Sequence, residues 1–158
     1  MDLSGLWRAA VRDADLERSG ADPELDDSQW ESVVVPGHWG QTDRFTAEPG
    51  PLLFRRRFTL PRPPAPRRAW LRFDGIMADA EIWLDGEHLG DVGVYFASHR
   101  FDITAHLTPT STSTSTSTST SASTATGPGR GDHVLAVEVA CDGDHPGARQ
   151  TLTGSLQS

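Results

Sequence analysis

Residues 80–86, Ala-Glu-Ile-Trp-Leu-Asp-Gly, are the stretch that decides the fold class of this chain. Side chains alternate from residue 80 to 84, so that Ala80, Ile82 and Leu84 share one face, as in a strand with one buried side. Asp85 and Gly86 follow, and both residues tolerate the positive φ angles of a two-residue hairpin turn. The stretch therefore predicts two antiparallel strands joined at Asp85 and Gly86.

Further runs of strand length lie on both sides of this hairpin. Each alternates or is rich in β-branched residues, and turn residues or prolines end it. These runs cover residues 54–60, 70–74, 100–104 and 134–139. A helix is predicted only over residues 9–18. Many short strands separated by turns indicate an all-β sandwich.

A low-complexity tract interrupts this pattern. Residues 108–126 are almost purely Ser and Thr, and a glycine-rich stretch continues to residue 131. Because the tract has no apolar face to bury, it cannot offset the entropy cost of ordering, and residues 108–131 are predicted to form a disordered loop. A loop of this length costs only about 1.5 kcal/mol of additional closure entropy, so a single domain over residues 1–158 can carry it.

Size and charge exclude several classes of function. The chain has 158 residues, of which 36% are hydrophobic, and a formal net charge of −8. This length suits one domain with a modest core and is too short for a catalytic barrel as well. The acidic balance argues against a nucleic-acid partner. The lack of a long apolar run and the single cysteine, Cys141, predict a cytoplasmic protein that does not span a membrane.

Seven segments, in order, resemble the N-terminal sugar-binding domain of glycoside hydrolase family 2. The family contains β-galactosidases, β-glucuronidases and β-mannosidases. The resemblance extends from Leu3 to about Val139 and implies a galactose-binding-like jelly roll. The matching segments are Val-Pro-Gly-His-Trp (35–39), Phe-Arg-Arg-Arg-Phe (54–58), Leu-Arg-Phe-Asp-Gly-Ile (71–76), Ile-Trp-Leu-Asp-Gly (82–86), Leu-Gly (89–90), Phe-Asp-Ile-Thr (101–104) and Val-Leu-Ala-Val-Glu-Val (134–139).

The resemblance also implies what this chain lacks. Full-length members continue into an immunoglobulin-like domain and a (β/α)8 barrel, and the barrel carries the two catalytic glutamates of the retaining mechanism. No catalytic, cofactor-binding or metal-binding residue is therefore predicted here. The glutamates at 31, 48, 81, 87 and 138 show no paired spacing. The chain is expected to be a C-terminally truncated front piece of a larger enzyme.

Two positions depart from the family pattern. Asp85 stands where asparagine is commoner in the hairpin, and Gly131-Asp132-His133 stands where members have a Gly-Glu-Asn turn. The tripeptide Arg130-Gly131-Asp132 also spells a cell-adhesion motif, which we interpret as a chance match.

Sugar contacts are predicted in the irregular stretch that ends at Pro51. Carbohydrate sites combine an aromatic ring with polar groups that bind hydroxyls, and loops are the usual place for them. The predicted rim contacts are His38, Trp39, Asp43 and Arg44. Trp7 and Trp83 are instead interpreted as core or half-buried residues. The six histidines show no common strand face, so no metal site is predicted.

Arg56 gives a structural test of the strand pattern. The period of two places it on the same face as Phe54 and Phe58, which are predicted to enter the core. An unpaired buried charge is costly. Arg56 is therefore predicted to pack along its stem and to pair with an acidic side chain or with carbonyl groups.

Three functions are compatible with the sequence. The favoured one is the non-catalytic N-terminal domain of a family 2 glycoside hydrolase, in which the parent enzyme hydrolyses O-glycosyl bonds. The second is a freestanding carbohydrate-binding module that binds a β-glycoside or a sugar. The third is a defective truncated product with an exposed sheet edge.

Overall fold

The computed structural model describes residues 1–76, 79–93, 97–107 and 132–140. The predicted loop over residues 108–131, the adhesion-like tripeptide except for Asp132, and Cys141 lie outside these residues. The described elements are β1 (Gly5–Val11), α1 (Leu16–Ser19), β2 (Glu31–Val35), two 3₁₀ turns (Trp39–Gln41 and Asp43–Phe45), β3 (Leu52–Thr59), β4 (Trp70–Phe73), β5 (Asp79–Leu84), β6 (Glu87–Val92), β7 (His99–Asp102) and β8 (Asp132–Ala140).

The strands form two antiparallel sheets that enclose one apolar core. The larger sheet has the order β2-β1-β3-β8-β5-β6, and β4 pairs with β7 in the smaller one. Core residues come from both sheets, with Ile82 and Val137 on the larger and Leu71 and Phe73 on the smaller. The all-β prediction is confirmed.

The predicted hairpin is confirmed. β5 pairs with β6, and the residues between them have the positive φ angles that the sequence indicated, 52° at Asp85 and 84° at Gly86. The strand predicted over residues 134–139 is β8, which lies in the middle of the larger sheet between β3 and β5. It is buried over nearly its whole length. A strand in this position is covered on both faces, which explains why residues 134–137 are all apolar.

The helix predicted over residues 9–18 is wrong in its first part. Residues 9–11 belong to β1, where Ala9 pairs with Phe54 of β3 and is almost fully buried. The helical part is the single turn α1. Pairing with β2 and β3 on both sides decides the conformation of β1, because tertiary pairing outweighs the weak helix preference of its alanines.

A segment without strands covers the outer face of the larger sheet. Residues 12–30, here called the covering segment, lie over β3, and Arg55 extends into this segment with only 1% of its surface exposed. Its guanidinium donates to the Asp27 carboxylate at 2.9 Å and to the carbonyl groups of Gly20 and Asp22 at 2.6 and 2.9 Å. The Trp30 ring lies 5.6 Å away. Arg55 therefore joins the covering segment to the sheet.

The prediction for Arg56 is confirmed. Phe54 and Phe58 both belong to the core, and Arg56 on the same face is half-buried. Its Nη1 donates to the carbonyl oxygen of Leu6 on β1. Pairing with a carbonyl group thus keeps the charge at the edge of the apolar layer.

The two departures from the family pattern meet in the structure. His133 at the start of β8 is 1% exposed, and its Nδ1 lies 2.6 Å from a carboxylate oxygen of Asp85. Its Nε2 faces the carbonyl oxygen of Leu60 at 3.1 Å. The other Asp85 oxygen accepts the Val134 N–H at 2.8 Å. Asp85 and His133 therefore form one polar pair that attaches the hairpin turn to β8.

Candidate functional site

The predicted sugar-contact stretch forms two consecutive 3₁₀ turns that pack on the core. His38 begins the first turn, where its Nδ1 accepts the Gly40 N–H at 2.8 Å. Partial burial lowers the pKa of His38. A neutral ring agrees with this geometry, because Nδ1 can accept only when it carries no proton.

Trp39 lies in the core rather than on the surface. Its side chain is 3% exposed, its Nε1 donates to the Glu48 carbonyl at 3.2 Å, and its ring is 6.3 Å from that of Phe54. In this position the indole presents no open face to a sugar. Asp43 and Arg44 are exposed on the second turn, which the buried Phe45 anchors. The role of His38, Trp39, Asp43 and Arg44 as rim contacts stays a prediction.

An exposed tryptophan lies elsewhere, on β4. Trp70 is 55% exposed and lines a groove of about 410 Å³ together with Phe58 of β3, prolines 61 and 63, and the side chains of Arg68 and Arg72. Arg68 pairs with Asp102 at 2.8 Å, and Arg72 pairs with Asp74. Trp70 is not among the predicted sugar contacts. The signal was present, because buried Leu71 and Phe73 place residues 70 and 72 on the opposite face.

The other tryptophans named in the sequence analysis are structural. Trp7 is 3% exposed and donates its indole N–H to the Leu3 carbonyl at 2.8 Å. Trp83 is half-buried beside His88, with 5.5 Å between the ring centroids. Both observations confirm the interpretation of these two residues.

Three carboxylates form a row that the sequence analysis missed. Glu81 on β5 is directly opposite Asp91 on β6 and Glu138 on β8. Strand pairing brings Glu81 and Glu138 together although they are far apart in sequence. The absence of a catalytic role for these glutamates stays a prediction. One carboxylate oxygen of Glu81 and one of Asp91 lie within 4.8 Å of each other, and both residues are exposed.

Glu138, the most buried carboxylate of this row, has a raised pKa. Burial raises the pKa of Glu138, and the nearby Glu81 and Glu17 add to that effect, whereas Arg12 opposes it. Arg12 binds Glu138 at 2.8 Å and also Glu17 at 3.2 Å. Arg12 therefore forms ion pairs with two carboxylates at this end of the row.

Comparison with known proteins identifies the family. Residues 41–130 match the family described as "Glycosyl hydrolase 2 galactose-binding domain-like". The chain belongs to this family. The resemblance inferred from the seven segments is confirmed, and the galactose-binding-like fold agrees with the antiparallel sheets described above.

Sequence relatives of this glycosyl hydrolase 2 domain are much longer proteins. A beta-galactosidase of Vibrio cholerae is 27% identical over 127 residues, which are 68% of this chain and 12% of that protein. A beta-glucuronidase of Formosa agariphila is 24% identical over 102 residues, 57% of this chain and 10% of that protein. The chain spans about a tenth of the length of these curated relatives.

Solved structures show the same fold. A glycosyl hydrolase family 2 member from Bacteroides cellulosilyticus superimposes with a TM-score of 0.66 at 22% identity, over 92% of this chain and 18% of that one. A Bifidobacterium dentium beta-glucuronidase, solved with coumarin-3-O-glucuronide, superimposes with a TM-score of 0.64 at 26% identity, over 88% of this chain and 20% of that one.

The helical elements of the described residues are short. None of them has the length and apolar character that crossing a membrane requires.

Proposed function

We propose that this chain acts as the non-catalytic N-terminal domain of a family 2 glycoside hydrolase, and that hydrolysis of O-glycosyl bonds takes place on residues outside it. The match over residues 41–130, in a chain that spans about a tenth of its β-glycosidase relatives, is the observation that supports this function. Residues 1–158 would form one domain with an insertion at 108–131. Its neighbours would be an immunoglobulin-like domain and a barrel, and the single cysteine favours a cytoplasmic location.

The exposure of Glu81 and Asp91 supports the absence of catalysis. A glycosidase needs one carboxylic acid that stays protonated near neutral pH in a desolvated cleft next to the scissile bond. Glu81 and Asp91 are both open to solvent on a sheet surface. Their separation alone therefore does not supply the acid.

The experiment is an activity assay on the complete 158-residue chain. Nitrophenyl β-glucuronide, β-galactoside and β-mannoside are offered as substrates, and release of nitrophenol is followed. We expect no release above the uncatalysed rate. Release that Glu81→Gln abolishes would overturn the proposal. The matched control is Glu31→Gln, which alters an exposed glutamate on β2 far from the row.

A freestanding sugar-binding module is the second candidate, and Trp70 is the observation that favours it. A half-exposed indole in a groove with two arginines has the composition of a carbohydrate platform. Galactose, mannose and glucuronic acid are titrated while tryptophan fluorescence is recorded. A saturable change that Trp70→Ala removes would support the module, and the absence of any change at tens of millimolar would reject it. Trp30→Phe serves as the control.

A further inference from the structure

A β-bulge in β6 brings His88 and Asp91 to the same face of the larger sheet. Glu81 pairs with Asp91 and Ile82 with Gly90, but Trp83 pairs with His88, so β6 contains one extra residue at this point. Residues 88 and 91 of a regular strand would point to opposite faces, because their separation is odd. The bulge reverses this parity and places both beside Glu81 and Trp83.

Gly90 makes the bulge possible. Its φ angle is 146°, a region that side chains rarely adopt, and a Cβ atom there would lie 3.1 Å from the Phe101 ring. Bulges re-aim side chains, and they are frequent beside functional sites. Gly90 is therefore the residue in the sequence that signals a break in strict alternation along β6.

Glu81, His88 and Asp91 form a compact set of side chains of the types that bind metal ions. One atom from each of Glu81, His88 and Asp91 lies within 4.8 Å of the others, and His88 Nε2 is 2.9 Å from Asp91 Oδ1. Ligands at 2.0–2.2 Å from a zinc ion are about 3.3–3.6 Å apart at tetrahedral angles. Because all three side chains are exposed, rotation about their own bonds closes the remaining gap without movement of the backbone.

The charge around this set favours a cation. Glu81 stands between Asp91 and Glu138 in the carboxylate row, and like charges directly opposite each other destabilise a sheet. Asp79 joins these three residues around an adjoining cavity of about 210 Å³. In the described part of the chain, no arginine lies within 4 Å of the Glu81 or Asp91 carboxylates, and Glu138 is the one member of the row that Arg12 binds.

We propose that Glu81, His88 and Asp91 bind a divalent first-row transition ion such as Zn²⁺, with the imidazole and two carboxylates as protein ligands and water completing the coordination. The imidazole selects the class of ion, because nitrogen ligands suit zinc, copper and nickel, whereas Mg²⁺ and Ca²⁺ prefer oxygen ligands alone. The bound ion joins the two strands of the hairpin at the bulge and neutralises the outer part of the carboxylate row.

The test is a calorimetric titration of the complete chain with ZnCl₂, in a Cys141→Ser background that removes the thiol. We expect a single binding event that EDTA reverses. His88→Ala and Glu81→Gln should each weaken it by at least about tenfold, since even outer-shell changes at metal sites cost that much. The matched control is His106→Ala, because His106 contacts only one carboxylate, that of Glu87 at 3.0 Å.

Trp83 supplies a second readout at the site itself. Its ring is 5.5 Å from that of His88, so Cu²⁺ bound there should quench its fluorescence, and Trp83→Phe should remove the quenched component. Zinc binding unchanged by His88→Ala, or Mg²⁺ binding with equal affinity, would overturn the proposal. So would the absence of zinc binding, or copper quenching that Trp83→Phe leaves unchanged.

Discussion

Replacement of Arg55 by alanine should detach the covering segment from the larger sheet. The change removes every donor that Arg55 offers to the Asp27 carboxylate and to the carbonyl groups of Gly20, Asp22 and Leu25. Loss of one partner from a buried ion pair costs about 3–5 kcal/mol, because the remaining charge stays in a poorly solvated place. The carbonyl groups do not add their full cost, since the covering segment can open and let water reach them. We expect a loss of about 3–5 kcal/mol.

Arg57 provides the matched control for this experiment. It lies on the same face of β3 and contacts the same segment, with its guanidinium 3.7 Å from Asp27 and 3.1 Å from the Leu25 carbonyl. Its side chain is 47% exposed, so Arg57→Ala should cost less than about 1 kcal/mol. Burial lowers the pKa of Arg55, and the Asp27 carboxylate offsets part of this shift. The charged guanidinium therefore depends on Asp27, and the site is sensitive to the loss of either partner.

The assay is urea unfolding of the complete chain, with limited proteolysis of residues 12–30 as a local measure. Arg55→Lys keeps the charge but cannot reproduce the planar fork, so its stability should fall between those of the wild type and Arg55→Ala. Equal losses for Arg55→Ala and Arg57→Ala, with no change in cleavage, would refute the argument that Arg55 holds the segment.

Three other perturbations test separate parts of the fold. The pKa of Glu138 is raised, so the native state holds this proton more tightly than the unfolded chain does, and the free energy of unfolding should fall as pH rises from the ordinary glutamate pKa through the raised one. Glu138→Gln should flatten this fall when urea unfolding is measured at a series of pH values. An unchanged slope in the variant would contradict the assignment to Glu138. Asp85→Asn and His133→Asn should each destabilise the chain, and a double-mutant cycle should give a coupling of about 0.5–3 kcal/mol; additive effects would show that the pair is not a unit. Gly20→Ala should cost about 1–3 kcal/mol in thermal unfolding, because the new Cβ would collide with the Leu53 side chain and lie 2.6 Å from the Leu16 carbonyl oxygen. Gly75→Ala is the control, and it should be nearly neutral because no atom lies within 4 Å of the new Cβ. Equal effects of the two substitutions would contradict the packing argument.

Local patterns predicted the strands whose neighbours are close in sequence or whose alternation is clear. The hairpin at Asp85 and Gly86 depends on two residues with known turn preferences, and Arg56 depends on simple parity. β1 was missed because its alanines carry little strand signal, and its conformation depends on pairing with β2 and β3. The conformation of β1 is therefore set by its neighbours in the folded sheet and not by its own sequence.

Arg55 and the His88 site show a second kind of limit. Alternation places Arg55 on the face of β3 opposite to that of Phe54, and only the course of residues 12–30 turns that face into an interior. At His88, one extra residue in β6 reverses the parity that strict alternation gives. A local rule cannot show which segment crosses a face or which strand carries a bulge.

The position of β8 has a consequence for biosynthesis. The larger sheet consists of β2-β1-β3 on one side and β5-β6 on the other, and β8 alone joins them. A ribosome produces β8 after all the others, and the 108–131 insertion delays it by about 24 residues, or roughly 1–5 s at ordinary synthesis rates. During that time β3 and β5 each have one unpaired edge, the edge that β8 occupies in the folded sheet, and these edges can pair with other chains. The 108–131 insertion therefore lengthens the interval in which these two edges are open to pairing with other chains.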